Sequence, residues 1–499
     1  MKKLSALFLT ITGLALTAGE NDYLRQIGRP PEAKIQRRQG GESFPPLPLP
    51  ATPLRRSEKK RPPSPSALIG KVVWGSYLDY TTADGMALRV FDWNMVPADC
   101  QQLLLRFREK TKMEYKSQTV DLATFSGDPS EIPILFFSGG RTISFSDAER
   151  AKLRKYLLGG GTVWFDSVVG SPYFYRSAVK ETGNILPESP LIRVVPDHAL
   201  LRMIVQTGKS MTNFNEMLVT HLEGVYVGAR LAVIISPLGL GSGWDNVMPT
   251  QVENARCLQP RSAQMLGMNM LAYAIGWYEN GMAYAAGELY TGESISDANK
   301  IIFAQVKTAG LWNPDPGAET RFMRYLAHNL KIDAGTEPEY IDPELAPLDN
   351  YPFLYLSGIG SFKLSEKALQ RIRQYLDKGG FLLLNNALGM NDFDITARAL
   401  AKALYPDKKL EIISEQHPLF AHAPFKFERS GFSEAATQKY PGQNHPLLYG
   451  FSGERCKLIY SPVDIAGGWL GTSRPGSVVY DSETALKLGS VLITYFLTR

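Results

Sequence analysis

The side chains best suited to chemistry in the first half of the chain follow predicted strands. Asp166 and Ser167 come directly after the apolar run 162–165, and His198 comes after the run 192–195. A carboxylate, a hydroxyl and an imidazole are the groups that proteins use for acid–base and nucleophilic catalysis. Ser167 does not lie in the Gly-x-Ser-x-Gly pattern of hydrolase nucleophiles. The three residues are candidates for a catalytic role, and the sequence assigns that role to none of them.

A second set of residues at strand ends and turns is suited to binding a ligand. Glycine turns expose backbone N–H groups that can hold phosphate, and tryptophan faces can stack on sugars. The same residue types also serve turns and core packing, and a loop histidine can simply bond to the backbone. The ligand-binding candidates are Trp93, Ser138, Gly139, Trp312, Ser357, Gly358, Asn385, Asn386, His417 and Asp464.

The sequence holds no recognisable metal or cofactor motif. Cys100, Cys257 and Cys456 lack the spacing of metal ligands, and no His-x-x-His or Glu-x-x-His pair occurs. The glycine turns match neither a P-loop nor a dinucleotide fingerprint. We therefore expect no metal and no cofactor.

The strongest pattern in the sequence is an internal repeat. With a shift of 219 residues, 93–198 aligns with 312–417 without a gap, and 20 of the 106 positions are identical. Average residue usage predicts about 6 identities by chance. Further along, a shift of 225 aligns Trp244 with Trp469. The sequence thus predicts two homologous units, 69–280 and 281–499, each of single-domain size.

Both units alternate short apolar runs with amphipathic stretches. In the second unit, a helix that begins after Ser365 and ends at Gly379-Gly380 separates the runs 353–356 and 381–384. Continuous apolar runs are typical of strands buried on both faces. We predict an α/β protein with two tandem, doubly wound, mainly parallel-sheet domains of flavodoxin-like type. Because parallel strands end at one edge of a sheet, we expect the polar candidates of each unit, His198 and His417 included, to converge there.

The first 68 residues differ in composition from both units. Residues 1–18 combine Lys2-Lys3, an apolar run and a small residue at a cleavage point, which predicts a signal peptide; an uncleaved anchor is the alternative. Residues 19–68 are rich in proline and arginine and are predicted to be a disordered linker. Its basic residues could contact a membrane or the cell wall, or the linker could be a solvated spacer.

The N-terminal region also accounts for the net charge of +5. Residues 19–66 hold ten basic and five acidic residues, and Lys2-Lys3 adds two further positive charges. The remaining chain is slightly acidic. We therefore expect no nucleic-acid partner.

The second unit carries a set of motifs, namely Trp312-Asn313-Pro314-Asp315-Pro316, the segment 351–358, Gly379-Gly380, His417-Pro418-Leu419-Phe420 and the segment 460–464, and the first unit carries them less fully. In these motifs both units resemble a bacterial domain family of unknown function, number 4159. The resemblance implies a fold similar to class I glutamine-amidotransferase-like domains, which include the trehalose-utilisation type. It implies no established activity.

This resemblance also bears on catalysis. An amidotransferase-like domain would carry a cysteine nucleophile on the turn after the Gly-Gly strand. That turn holds Asp166-Ser167 in the first unit and Asn385-Asn386 in the second. The sequence therefore argues against amidotransferase catalysis, and the unlike pairs argue against one chemistry shared by both units.

Together these features favour an exported envelope protein, periplasmic or cell-envelope in location, that binds a ligand or another protein without catalysis. An envelope protein or a carbohydrate is the expected partner, and the sequence does not reveal the oligomeric state. The alternative is a hydrolase or isomerase of the trehalose-utilisation type that acts on a carbohydrate through Asp166 and His198 of the first unit.

Export can be tested on the native protein. The signal pattern predicts an envelope fraction in which the chain starts after Ala18, because the small residue ends the apolar run. N-terminal sequencing of the fractionated protein measures this. A chain that keeps Met1 and stays in the cytoplasm would show that the prediction is wrong.

Overall fold

Short apolar runs along the chain become the central strands of two sheets. The computed structural model describes residues 67–81, 85–219, 221–247, 252, 254–283, 285, 301–332, 335, 337–421, 425–451 and 455–498. The predicted signal peptide and nearly all of the predicted linker lie outside the described residues. Within the described ranges, no helix combines the length and the apolar character needed to cross a membrane.

The first unit builds one large sheet, two small hairpins and six α-helices from its described residues. Its strands are β1 Ile69–Val73, β2 Tyr77–Thr81, β3 Ala87–Phe91, β4 Ser117–Asp121, β5 Ile134–Gly139, β6 Thr162–Ser167, β7 Ile192–Arg193, β8 Ser210–Met211, β9 Met217–Leu218, β10 Glu223–Val227 and β11 Arg230–Ser236. Its helices are α1 Asp99–Thr111, α2 Asp147–Leu158, α3 Pro172–Ile185, α4 Gly241–Trp244, α5 Pro260–Gly276 and α6 Tyr278–Ala283.

The second unit repeats this plan. Its strands are β12 Ala304–Val306, β13 Ala309–Leu311, β14 Glu339–Ile341, β15 Leu354–Lys363, β16 Leu382–Asn386, β17 Leu410–Ile412, β18 Tyr449–Phe451 and β19 Leu458–Ser461. Its helices are α7 Ala318–Asn329, α8 Glu366–Asp377, α9 Asn391–Leu404, α10 Pro418–Ala421, α11 Glu434–Lys439, α12 Ala466–Leu470 and α13 Ser482–Thr498.

Equivalent strands occupy the same places in the two sheets. The order is β4-β1-β5-β6-β11-β10-β7 in the first unit and β14-β12-β15-β16-β19-β18-β17 in the second. The central strands pair in parallel, whereas β10 and β18 run antiparallel to both of their neighbours. The prediction of two mainly parallel, doubly wound α/β units is confirmed. The predicted boundary near 280 lies between the two sheets, and residues 286–300 beyond it are outside the described ranges.

Apolar side chains cover both faces of each sheet. In the first unit, one cluster lies with α1, α4 and α5, and a separate cluster lies with α2 and α3 on the opposite face. The second unit has the same two layers, with α7, α12 and α13 on one face and α8 and α9 on the other. Local signals agree with this packing, since Ser146 and Glu149 form a capping box at the start of α2 and Ser365, the predicted start of a helix, caps α8.

The two units share part of one hydrophobic core. Ile359, Leu388 and Met390 of the second unit belong to the cluster that α1, α4 and α5 form in the first. Leu388 adopts a left-handed backbone conformation with φ 62°, which is unusual for a leucine. Its burial in the core of the neighbouring unit helps to fix this conformation. The units therefore pack against each other through the turn that follows β16.

Candidate functional site

Asp166 lies at the end of β6, where the central strands of the first sheet terminate. Its carboxylate is fully buried and accepts hydrogen bonds from the backbone N–H groups of Leu240 at 2.7 Å and Gly241 at 2.9 Å. Both donors belong to the segment that follows β11. Burial disfavours the charged carboxylate and raises the pKa of Asp166 to about 7, although the two N–H donors act against that shift. Asp166 thus holds two parts of the fold together.

A buried ion pair lies next to Asp166. Lys71 on β1 donates to both carboxylate oxygens of Asp99, at 2.8 and 2.9 Å. A Cβ atom on Gly241 would lie 3.0 Å from Oδ2 of Asp166 and 3.1 Å from Oδ2 of Asp99, so both carboxylates face this glycine. Burial outweighs the attraction of Lys71 and raises the pKa of Asp99. The close packing at Gly241 leaves little room for a substrate beside these acids.

Ser138, Gly139 and Ser167 meet at the same edge of the first sheet. Ser138 pairs with Asp166 and Gly139 pairs with Ser167 in the ladder between β5 and β6. Ser138 and Ser167 are buried, and their hydroxyl oxygens have no hydrogen-bond partner among the described residues. The indole of Trp74 covers Gly139 so closely that a Cβ atom there would lie 2.2 Å from the ring. These three predicted residues therefore lie close to Asp166, as expected, but they are buried inside the protein.

His198 lies elsewhere, and its predicted convergence with Asp166 is wrong. Its Nδ1 accepts the backbone N–H of Leu200 at 3.1 Å, and its ring lies 5.4 Å from the ring of Tyr273. Tyr273 in turn accepts the N–H of Leu231. On β11, Leu231 lies five residues before Ser236, which pairs with Asp166. Five residues of strand span about 16 Å. Burial lowers the pKa of His198 to about 3, which keeps the ring neutral.

The displacement of His198 has a simple cause. The strand β7 contains only two residues, and the chain turns immediately after it, with the N–H of His198 donating to the carbonyl of Val195. His417 repeats this arrangement in the second unit, where its Nδ1 accepts the N–H of Leu419 and its ring lies 6.0 Å from Tyr495. Both histidines are therefore structural caps, and neither joins the polar residues at the sheet edge.

The second unit builds a hydrogen-bond network at the equivalent edge. Asn385 donates to Ser357 at 3.1 Å and to Asp464 at 3.0 Å, and its own oxygen accepts the N–H of Ile465 at 2.8 Å. That last bond matches the bond between Asp166 and Leu240. Asp464 also accepts the N–H of Leu388 at 3.2 Å. Three predicted candidates, Ser357, Asn385 and Asp464, thus come together.

The remaining candidates have separate surroundings. Asn386 is buried and donates to the carbonyl of Met390 at 2.9 Å. Gly358 is tightly packed, since a Cβ atom there would lie 3.0 Å from the carbonyl oxygen of Leu311. Trp312 packs on Tyr340 at 5.2 Å, and Trp93 lines a cavity of about 580 Å³ that also reaches Lys71. Trp244 and Trp469 are fully buried core residues.

Four buried polar residues of the second unit were missed by the sequence reasoning. Arg474 bonds to Asp315 and lies 3.4 Å from Asp464, and all three side chains are buried. Gln305 and Glu319 lie in the same region, and one carboxylate oxygen of Glu319 has no hydrogen-bond partner among the described residues. Burial raises the pKa of Asp315 to about 6 and that of Glu319 to about 8. Asp315 lies just before α7 and Glu319 in its first turn, and this close spacing of two acids in the sequence was the available signal.

A cavity of about 500 Å³ lies beside this network, between the two units. The loop 471–476 forms one wall, and Arg202 and Met203 of the first unit contribute to the lining. Arg202 donates to the carbonyl of Gly476 at 3.0 Å, which ties the units together at the cavity. Phe432, Ser433, Gln438, Ser473, Tyr480 and Asp481 also line it. Within the described ranges, no group of three or more His, Cys, Asp or Glu side chains could hold a metal ion.

Comparison with known proteins identifies the family of both units. The profile of the domain of unknown function DUF4159 matches residues 80–275 and 302–497, and the chain therefore belongs to this family as a tandem pair. No curated protein matches the chain. Among solved structures, a ThuA-like protein from Bacteroides uniformis is 13% identical and covers 42% of this chain and 96% of its own, with a TM-score of 0.23.

The buried carboxylate of Glu319 gives a testable pH dependence. A folded-state pKa raised from 4.5 to about 8 means that the folded protein loses stability as the pH rises through this interval. A glutamine at this position cannot become charged. The free energy of unfolding of Glu319→Gln should therefore rise relative to that of wild type as the pH increases from 5 to 9, by on the order of a few kcal/mol. Urea denaturation across this range measures the difference.

The exposed residue Glu411 provides a matched control. Glu411→Gln should shift the free energy of unfolding by less than about 0.5 kcal/mol at every pH. If the difference between wild type and Glu319→Gln does not change with pH, Glu319 does not titrate in this interval and its assigned environment is wrong.

Proposed function

We propose that this chain is an exported envelope protein that binds a ligand in the cavity between its two units and does not catalyse a reaction. The observation that carries the proposal is the cavity itself, which both units line. The loop 471–476 meets Arg202 there, and the buried Arg474 forms part of the wall. Sites of this kind occur preferentially where two domains meet.

The buried sheet edges support a role without catalysis. In an amidotransferase-like fold, the nucleophile would occupy the turn after β6 or β16. The pairs predicted for that position, Asp166-Ser167 and Asn385-Asn386, are instead the last residues of β6 and β16. They are fully buried, and Asp166 and Asn385 are hydrogen-bonded to neighbouring segments. A trehalose-utilisation type of chemistry through Asp166 and His198 is disfavoured, because the two side chains lie near opposite ends of β11.

The lining of the cavity favours a carbohydrate as the ligand. Ser433, Gln438 and Ser473 offer hydroxyl and amide groups, and Asp481 offers a carboxylate. Phe432 and Tyr480 add aromatic surface. Polyhydroxylated rings are bound by such a combination of hydrogen-bonding groups and aromatic faces. The predicted export of the chain would bring this site to the polysaccharides of the cell envelope.

The proposal can be tested by filling the cavity. Gln438 is exposed on α11 and lines the cavity, so Gln438→Trp should occupy its volume and weaken binding about tenfold or more, as expected for the loss of a few contacts. Soluble cell-wall oligosaccharides are screened on the purified protein, and the affinity of each hit is measured by calorimetry. The neighbouring exposed residue Thr437 does not line the cavity, so Thr437→Trp is the matched control.

The same preparation separates binding from catalysis. A hydrolase and isomerase screen is run on wild type, Asp166→Asn and His198→Ala. Turnover that either substitution abolishes would overturn the proposal in favour of an enzyme. Oligosaccharide binding that Gln438→Trp leaves unchanged would show that the ligand site is not this cavity.

A further inference from the structure

A cavity of about 580 Å³ lies along the edge of the first sheet, between the edge strand β4 and the helix α1. The side chains of α1 that line it recur every three or four residues from Cys100 to Arg108, which places them on one face of the helix. Eight residues of helix span about 12 Å, so the cavity is an elongated groove. We call it the edge groove.

Two aromatic side chains line the edge groove. Trp93 lies just before α1, and Tyr115 lies between the end of α1 and the start of β4. Both are only partly buried. The ring of Trp93 packs on Phe91 at 6.3 Å, and the ring of Tyr115 packs on Phe107 at 6.2 Å. These contacts hold the two rings in place, and both rings remain part of the groove wall.

The tryptophan equivalent to Trp93 is covered in the second unit. Trp312 packs on Tyr340 at 5.2 Å between ring centroids. Tyr340 pairs with Gln305 of β12, and the equivalent pair in the first unit is Thr119 with Lys71 of β1. A threonine thus stands in the first unit where the second has the covering tyrosine. The smaller side chain leaves room beside Trp93, and this room is part of the edge groove.

The charges on the groove wall favour an acidic ligand. Lys71 is already neutralised by Asp99, to which it donates at 2.8 and 2.9 Å. Arg108 lies 3.8 Å from Glu114, but their side chains are 49% and 67% exposed, and such a pair is weak. Lys116 adds a second, exposed cation. A carboxylate of a ligand can therefore replace Glu114 at Arg108 and also reach Lys116.

The remaining polar groups of the groove suit a ligand rich in hydroxyl groups. Gln101, Gln118 and Thr119 are exposed residues of the lining, and amide and hydroxyl side chains both donate and accept hydrogen bonds. Within the described residues β4 pairs only with β1, so the outer backbone groups of β4 are open as well.

The position of the cations distinguishes a carboxylate from a phosphate. Arg108 lies in the last turn of α1, where the helix carbonyls carry a partial negative charge. This partial charge opposes a doubly charged phosphate more strongly than a singly charged carboxylate. The groove also lacks the helix N-terminus that commonly holds phosphate, since its cations lie at the opposite end of α1.

We propose that the edge groove binds an acidic oligosaccharide, a short chain of sugar rings that carry carboxylates. A ring of the ligand stacks on Trp93, and a carboxylate lies between Arg108 and Lys116. Aromatic faces and hydrogen-bonding side chains are the groups that bind sugar rings, and the elongated shape suits a chain better than a single ring. The inference does not depend on the cavity between the two units, which is a separate site.

Copying the second unit into the first tests the aromatic part of the site. Thr119→Tyr places a ring where Tyr340 covers Trp312, so it should fill the groove and weaken binding about tenfold or more. Thr119 is exposed on a strand, where tyrosine is well accommodated. The probes are the tetramers of galacturonate and of glucuronate, and calorimetry on the full chain measures their affinity. Thr142→Tyr, at an exposed threonine outside the groove, is the matched control.

Removing a cation tests the acidic part of the site. Lys116→Gln should weaken binding of the acidic tetramers several-fold, with the larger loss at low salt, because the charge attraction is screened by ions. Lys110→Gln, at an exposed lysine of α1 that does not line the groove, should leave the affinity unchanged. The neutral tetramer maltotetraose should bind wild type more weakly than the acidic tetramers do.

The variant Gln438→Trp separates the two sites. It fills the cavity between the units and should leave binding of the acidic tetramers intact. Circular dichroism shows whether each variant is folded. The proposal is overturned if neither acidic tetramer binds wild type, if Thr119→Tyr is folded and binds as tightly as wild type, if maltotetraose binds as tightly as the acidic tetramers, or if only Gln438→Trp abolishes binding.

Discussion

One side chain at the end of a central strand fixes the carboxyl end of each sheet. In the first unit it is Asp166, which accepts the N–H of Leu240 at 2.7 Å, and in the second it is Asn385, which accepts the N–H of Ile465 at 2.8 Å. Buried N–H groups must find an acceptor, and an unpaired one costs about 1–3 kcal/mol. An acid or an amide is therefore needed at this position for structural reasons alone. The rest of the edge is arranged around this bond.

The difference between aspartate and asparagine changes the surroundings in each unit. Asp166 can accept two N–H groups, and it takes the second from Gly241. Asn385 has only one acceptor oxygen, and its amide donates instead to Asp464. Asp464 then accepts a hydrogen bond from Arg474, which also donates to Asp315. The buried ionic groups beside Asn385 are therefore Arg474, Asp315 and Asp464, whereas the group beside Asp166 is the ion pair of Lys71 with Asp99.

That network lies where the units meet, next to the cavity. Arg474 is buried in the wall and Gly476, two residues later, accepts a bond from Arg202 of the first unit. The loop 471–476 is thus fixed to the second unit through Arg474 and to the first unit through Gly476. A preformed wall of this kind lowers the entropy lost when a ligand binds.

Much of the fold could be predicted from the sequence, because the repeat and the apolar runs identify the central strands directly. The site was harder to predict. Ser357, Asn385 and Asp464 were found because each follows an apolar run, whereas Asp315, which precedes α7, and Glu319, in its first turn, were missed. His198 and His417 were misplaced, because the strands before them contain only two and three residues, and the turns that follow such short strands cannot be recognised in an apolar pattern. Arg474 lies in a loop, and nothing in its local sequence indicates that it reaches Asp464.

Asp166 holds the segment after β11 against the end of β6 through its two buried hydrogen bonds. The most direct measurement is the free energy of unfolding of Asp166→Ala at pH 6, combined with hydrogen exchange at Leu240 and Gly241. Two buried N–H groups lose their acceptor, so the free energy of unfolding should fall by about 2–4 kcal/mol and both amides should exchange faster. Asp166→Asn gives the first unit the side chain that Asn385 provides in the second. The free energy of unfolding of this variant should therefore fall less than that of Asp166→Ala. A variant Asp166→Ala as stable as wild type, with both amides still protected, would contradict the account.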